Sequence, residues 1–573
     1  MKKRILILAA ILVVLLTLSS CLRTKSFESH ASGEGLMAEA FLPADVTGVF
    51  SYSLMNDEQF AAVQIMEGSL GEEGKISQTF AENFNKEFEQ LEGADLSFEA
   101  DLMPALGQQF RFVTAARTGS AVSGSEAESE AFMIITLEDP SLMEATLDKL
   151  LEAEGFAFKK LSDVDAYVHE DNDFYAAVYK DLLMVASTPE ALVEMAGMDE
   201  SDSLWADENY QEAIGRVGEN HLFFSFSESG EAVGGSAVSD VADSGVADVA
   251  SGALDAAIDL VKSQLMVVRA EEDGLRFDIY MNADEEIASA ANFAFDFVPR
   301  EEAYLFEEVP ADGLILYYET FGLKQRVEEE RQQNAGAAGS AVPYASAENF
   351  IRSYFAMDFE EEVLTFLDKG YALAAHQGGG AFPGFSIYID VSSDVAGAQA
   401  LLDKLDEQIS GLMLVLEIAL PGTVSFGEAE IAGQEFNVLE IDLSKLPEEQ
   451  AAALPSVLTI EPIALAYGLL DDRLLITTAG VWERTSETIL DSALYEALED
   501  ELEGVDKGLF LLDTAGLSGF METWRSLRTQ LNLGVSEDTV ELEQMLNAFV
   551  GLIAASEADE LENHIGGFIK LDQ

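Results

Sequence analysis

The chain has 573 residues, 48% of them hydrophobic, with 106 acids against 31 lysines and arginines, for a formal net charge of −75. That hydrophobic content excludes global disorder, which needs low hydropathy together with high charge. The acidity excludes nucleic acid as a partner, because phosphate recognition needs cationic surface, and the single cysteine excludes an internal disulfide framework.

Lys2, Lys3 and Arg4 precede an uncharged apolar run from Ile5 to Leu16. The run is shorter than the ~20 residues a membrane span needs and has the build of a signal h-region. Leu18, Ser19, Ser20 and Cys21 follow at once. This arrangement resembles a bacterial lipoprotein signal with its lipobox. The resemblance implies cleavage before Cys21, lipidation at Cys21 and attachment to a membrane through the acyl chains. An ordinary secretory signal or an uncleaved anchor is the alternative. Leu22 after the cysteine, in place of Asp, implies the outer membrane in a two-membrane cell; in a one-membrane cell the anchor sits on the outer face of the cytoplasmic membrane. Residues 1–20 are then the signal peptide and 21–40 a tether, of which Ser26 to Glu39 is rich in small polar residues. The charge also repels anionic headgroups, leaving the acyl chains as the attachment. Self-repulsion at this charge favours a saline or divalent-rich habitat; solubility of a generic acidic exported protein is the other reading.

Two long segments then run through the same order of elements, an internal repeat. Each opens on a turn signal, Leu42-Pro43-Ala44-Asp45 and Val309-Pro310-Ala311-Asp312. Strand-like runs follow, Val49 to Tyr52 and Leu314 to Tyr318, then Phe132 to Leu137 and Phe385 to Val391. Each leads into a helix containing Leu-Asp-Lys-Leu, at Leu147 to Leu150 and Leu402 to Leu405. In the first copy Asp139 is placed to cap that helix, with Pro140 at its first position. Met143, Leu147, Leu150 and Leu151 then form one apolar stripe. Strands are predicted over Ala166 to Glu170, Phe174 to Tyr179 and Leu182 to Ser187, and in the second copy over Glu435 to Leu443, Ile463 to Leu470 and Leu474 to Ala479. Thr188-Pro189 opens a further helix.

The pattern predicts an α+β fold: two related modules of antiparallel meander sheet with helices packed on one face. The first module covers 41–229 and the second 304–525. Between them, 230–303 reads as a low-complexity loop followed by connecting helix and strands. Residues 526–573 read as a C-terminal helix, over Val540 to Ala555, and a closing strand over Gly566 to Leu571.

No motif for chemistry stands out. His30, His169, His221, His376 and His564 show no metal-ligand spacing, and neither a nucleophile elbow nor a phosphate loop is present. Asp171 and Asp173, and Asp240, Asp243 and Asp248, offer oxygen ligands of the kind calcium takes, without a full EF-hand loop. Roles in turns and solvated loops are the alternative, and no metal or other cofactor is assigned. Glu328 to Glu330 and Glu360 to Glu362 read as solvated helix faces. Trp205, Trp482 and Trp524 read as core, or as a binding face if exposed.

The Leu-Pro-Ala-Asp opening, Leu102 to Phe112 around Gly107, the step Leu137-Glu138-Asp139-Pro140, and Leu182 to Glu190 together resemble the bacterial DUF3352 proteins. The resemblance covers most of residues 41–229 and, more loosely, 304–525. It implies an exported or membrane-tethered protein of unknown function, with no catalytic residues to carry over. The function expected is that of a non-enzymatic, lipid-anchored cell-envelope protein, an acidic scaffold with envelope proteins as partners. A carrier or chaperone-like protein for apolar or cationic ligand is one alternative, and a hydrolase with a site assembled from distant residues is another.

Overall fold

The computed structural model describes residues 38–53, 97–107, 110–117, 130–151, 155–169, 174–217, 221–228, 261–283 except 272, 305–324, 357–377, 383–419, 422–446, 462–478, 488–498, 508–530, 549–558 and 562–571, with isolated residues at 59–61 and 327–353. The chain divides into two compact units, Met1–Ala283 and Asp284–Asp572.

The first unit holds β1 (Gly48–Ser53), α1 (Met103–Leu106), β2 (Arg111–Arg117), β3 (Glu130–Thr136), α2 (Pro140–Leu150), β4 (Phe156–Leu161), β5 (Val164–His169), β6 (Phe174–Tyr179), β7 (Leu182–Ala186), α3 (Pro189–Ala196), α4 (Glu208–Val217), β8 (Phe223–Glu228), β9 (Val261–Glu271) and β10 (Gly274–Ala283). Its strands pair in the order β4-β5-β6-β7-β3-β2-β1-β8-β9-β10, every ladder antiparallel. Asp139 accepts from the Ser141 and Leu142 amides at the start of α2, and Thr188 accepts from Ala191 at the start of α3. Both caps take up amide groups that the first helical turn leaves unbonded.

The second unit holds β11 (Leu314–Thr320), β12 (Tyr371–His376), β13 (Gly384–Asp390), α5 (Val395–Ala419), β14 (Val424–Ile431), β15 (Gln434–Ile441), β16 (Ile463–Leu470), β17 (Arg473–Thr478), α6 (Ala493–Leu498), β18 (Gly508–Asp513), α7 (Thr514–Gln530), β19 (Phe549–Ala558) and β20 (Glu562–Leu571). Its order is β14-β15-β16-β17-β13-β12-β11-β18-β19-β20, again antiparallel throughout. Position for position, this is the order of the first unit. The likeness extends to detail. Lys149 of α2 pairs with Asp101 in a π-helical turn, and Lys404 of α5 pairs with Glu362 in another, at 2.7 Å. Pro43 bridges Ser203 as Pro310 bridges Thr488.

Three expectations from sequence need correcting. Helices cover both faces of the first sheet, not one. Val113, Phe132, Met184 and Phe224 pack with Leu192 of α3 and Tyr210 of α4 on one face. Phe112, Met133, Leu183 and Phe223 pack with Leu106 of α1 and Leu147 of α2 on the other. Strands buried on both sides lose the alternation of a half-exposed sheet, which is why Leu182 to Ala186 reads as an unbroken apolar run. The helix expected over Val540 to Ala555 is a strand in its described part, Phe549–Ala558, because β18 and β20 flank it and supply its ladder. Likewise Val261 to Ala283 completes the first sheet instead of merely connecting the modules.

Candidate functional site

A cleft of about 320 Å³ opens in the second unit where α5 crosses β15 and β16. Gln399, Leu402 and Asp406 reach it from α5, Asn437 from β15, Tyr467 from β16, and Asp471 from the turn after β16. Among the described residues no lysine or arginine lines it. Asp406 is its central group. The Asn437 amide donates to both carboxylate oxygens, at 2.8 and 2.9 Å, and the Tyr467 hydroxyl donates to Oδ1 at 2.6 Å. Burial, reinforced by the Asp406 charge, pushes the Tyr467 phenol well above its ordinary range, so it stays a neutral donor.

The first unit carries a counterpart. The Tyr167 hydroxyl on β5 donates to Asp148 of α2 at 2.7 Å, and burial followed by Asp148 raises its phenol pKa in the same way. Counted from the preceding hairpin turns, where Ser162 and Ala432 both take positive φ, Asn437 holds the place of Tyr167. Tyr467 faces Asn437 across the ladder as Ala176 faces Tyr167. Each unit therefore pins its long helix to its sheet through one carboxylate, with the aromatic donor moved to the neighbouring strand in the second. The smaller Asn437 leaves room where Tyr167 fills it. Chemically, the described residues of the cleft offer carboxylates and amides without a paired nucleophile and base.

A second polar cluster is buried in the first unit. Glu39, fully buried, accepts from Arg111 and from the Tyr210 hydroxyl at 3.0 Å, and Arg111 Nε donates to Ser51 at 3.1 Å. Burial, then the Glu39 charge, raises the Tyr210 phenol pKa. This cluster ties the short helical turn Ala38–Phe41 to β1 and β2.

His169, His221 and His376 are buried in separate places, His376 Nε2 lying 2.9 Å from the Pro310 carbonyl; His564 is half-buried. Among the described residues no group of three His, Cys, Asp or Glu side chains is arranged to hold a metal ion. Glu360 and Glu361 are exposed, as expected of a solvated face. Trp205 packs against the core and Trp524 is half-buried on α7. Leu18, Ser19, Ser20, Cys21, His30, Asp171, Asp173, Asp240, Asp243, Asp248, Glu328 to Glu330 and Trp482 lie outside the described residues. No described helix is long and apolar enough to cross a membrane. Sequence reasoning did not single out Asp406, Asn437, Tyr467, Glu39 or Arg111.

The family model "Protein of unknown function (DUF3352)" matches residues 5–416. The chain belongs to the DUF3352 family. The match takes in the whole first ten-stranded sheet of this DUF3352 member and ends inside α5. Among solved structures, crystal forms I and III of TP0453 are similar, each at 8% identity over 47% of this chain and 90% of theirs, with TM-scores of 0.23 and 0.25. A likeness of that degree carries no functional weight. No curated protein matches.

Proposed function

We propose that this DUF3352 member is a non-catalytic, lipid-anchored protein of the cell envelope, tethered through Cys21 and presenting an acidic body to other envelope proteins. In this reading the two units are copies of one α+β module. The shared ten-strand order and the matching lysine-to-π-turn ion pairs support the duplication. The observation that carries the non-catalytic reading is the engagement of Asp406. The carboxylate at the centre of the cleft is spent on two neighbouring side chains that hold helix to sheet, an arrangement that serves architecture. The lipobox-like Leu18-Ser19-Ser20-Cys21 supports the anchor.

In-cell crosslinking of the tagged chain, with Cys21→Ala as control, tests this reading. A small reproducible set of envelope proteins, lost in the control, is the expected result. A co-purifying small molecule without protein partners would move the reading to a carrier. The acidic cleft, which no described cation lines, would then direct the search to cationic ligands.

A further inference from the structure

Each sheet ends on a strand that has one unpaired side among the described residues: β4 pairs with β5 alone, and β14 with β15 alone. The two strands hold the same place in their units, and their charges are opposite. β4 reads Phe156-Ala157-Phe158-Lys159-Lys160-Leu161, two adjacent lysines and no acid, in a chain with 31 lysines and arginines against 106 acids. β14 carries Glu428 and Glu430, both exposed, and no base. Counted back from the hairpin turns, Lys160 stands where Glu430 does.

Lysine on an edge strand ordinarily guards it against pairing. A guard does not account for Phe158, which lies beside the lysines and at 53% exposed is the most exposed large apolar side chain among the described residues. On β14, Phe426 is half-buried and Ala429 exposed, so that edge also offers apolar surface between its charges. Two β4 edges brought together would set lysine against lysine. Two β14 edges would crowd glutamates where Glu428 already meets Glu435. Only the unlike edges are complementary.

We infer that β4 of one copy pairs with β14 of the next, so that Lys160, on the exposed face of β4 with Phe158, meets Glu428 and Glu430, which share one face of β14, and the chain assembles head to tail with itself. Ladder hydrogen bonds supply the attraction, and the charges choose the partner edge. Such a contact is heterologous and propagates from copy to copy. The net charge of −75 opposes it at long range. That repulsion reaches ~30 Å at 0.01 M salt but only ~8 Å at 0.15 M, so assembly strengthens between these two concentrations.

The test is sedimentation velocity of the full chain in excess detergent at 0.15 M NaCl over a concentration series. Wild type is compared with Lys160→Glu, with Glu428→Lys/Glu430→Lys, and with an equimolar mixture of the two variants. Wild type should grow with concentration, and each variant alone should show a dissociation constant raised about tenfold. The mixture should recover wild-type assembly, because the reversed charge on one variant's β4 then meets the other's basic β14. Should a reversed variant fail to fold, Lys160→Gln and Glu428→Gln read the same loss. Wild type that stays a single copy throughout, variants that assemble like wild type, or a mixture no better than its components would each overturn the inference.

Discussion

Replacing Arg111 by methionine removes the one cation that meets Glu39 among the described residues and leaves that carboxylate, 0% exposed, with the Tyr210 hydroxyl as its hydrogen-bond donor. Glu39 Oε2 has no hydrogen-bond partner among the described residues even with Arg111 present, so little remains to compensate the charge. Breaking a buried pair in this way costs about 3–5 kcal/mol. Replacing both members by apolar side chains of similar size costs far less, because no buried charge is stranded. The double variant Glu39→Met/Arg111→Met should therefore be more stable than Arg111→Met by about 2 kcal/mol or more, a coupling of the size contacting residues show. Because the chain holds two units, a global melt is not a single transition. Native-state hydrogen exchange of the β1 and β2 amides reads the first sheet directly. Arg111→Met should accelerate their exchange roughly 10²- to 5 × 10³-fold, the equivalent of about 3–5 kcal/mol. An acceleration below about fivefold, or a double variant no better than the single, would refute the assignment of Glu39 and Arg111 as a coupled buried pair.

Tyr167, Tyr210, Tyr388 and Tyr467 all have phenols raised above the ordinary value of 10.0, burial being the first cause in each. The folded state therefore keeps protons that the unfolded state releases above about pH 10, so this stabilisation is complete below pH 10 and is lost as pH rises towards the folded values. Absorbance at 295 nm should show these four of the 15 tyrosines still protonated at pH 11 in the folded chain; fifteen ionising together with structure intact would contradict it. Gly516→Ala should loosen α7, because its Cβ would clash with the Leu314 carbonyl oxygen, and overpacking of this kind costs about 1–3 kcal/mol. Gly519→Ala meets only the mobile end of Gln377 and should cost about 1 kcal/mol, through the 2.9 Å bond that Gln377 makes to the Gly516 carbonyl. Equal exchange of α7 amides in the two variants would count against this packing. Tyr467→Phe removes one donor from Asp406 and should destabilise the α5–β16 contact by about 1.5–3 kcal/mol, the range for hydrogen bonds to a charged group. Hydrogen exchange of β16 in that variant, unchanged from wild type, would show that the pin holds nothing.

Much of the fold is legible locally. Asp139 caps α2 and Thr188 caps α3 through amides two or three residues away, so the signal lies within one turn of chain. The hairpin turns at Lys180 and Asp471, both with positive φ, are legible for the same reason. β19 is not, since the spacing of its apolar residues suits a helix and its ladder comes from β18 and from β20. Nor is the burial of both sheet faces, because an unbroken apolar run does not say what lies on either side of it. The candidate site was invisible altogether. Asn437 lies 31 residues from Asp406 and Tyr467 lies 61, in a chain so rich in carboxylates that no single Asp draws notice.

The sequence by itself determined the recurring order of elements, the helix starts and the hairpin turns, all set by hydrogen bonds and φ preferences between near neighbours. Tertiary structure alone decided which strand borders which, how Glu39 meets Tyr210 across 171 residues, and which two strands, among the described residues, are left as edges of opposite charge. Those pairings follow from packing apolar faces and satisfying buried polar groups over the whole unit, a condition that no short stretch of chain encodes.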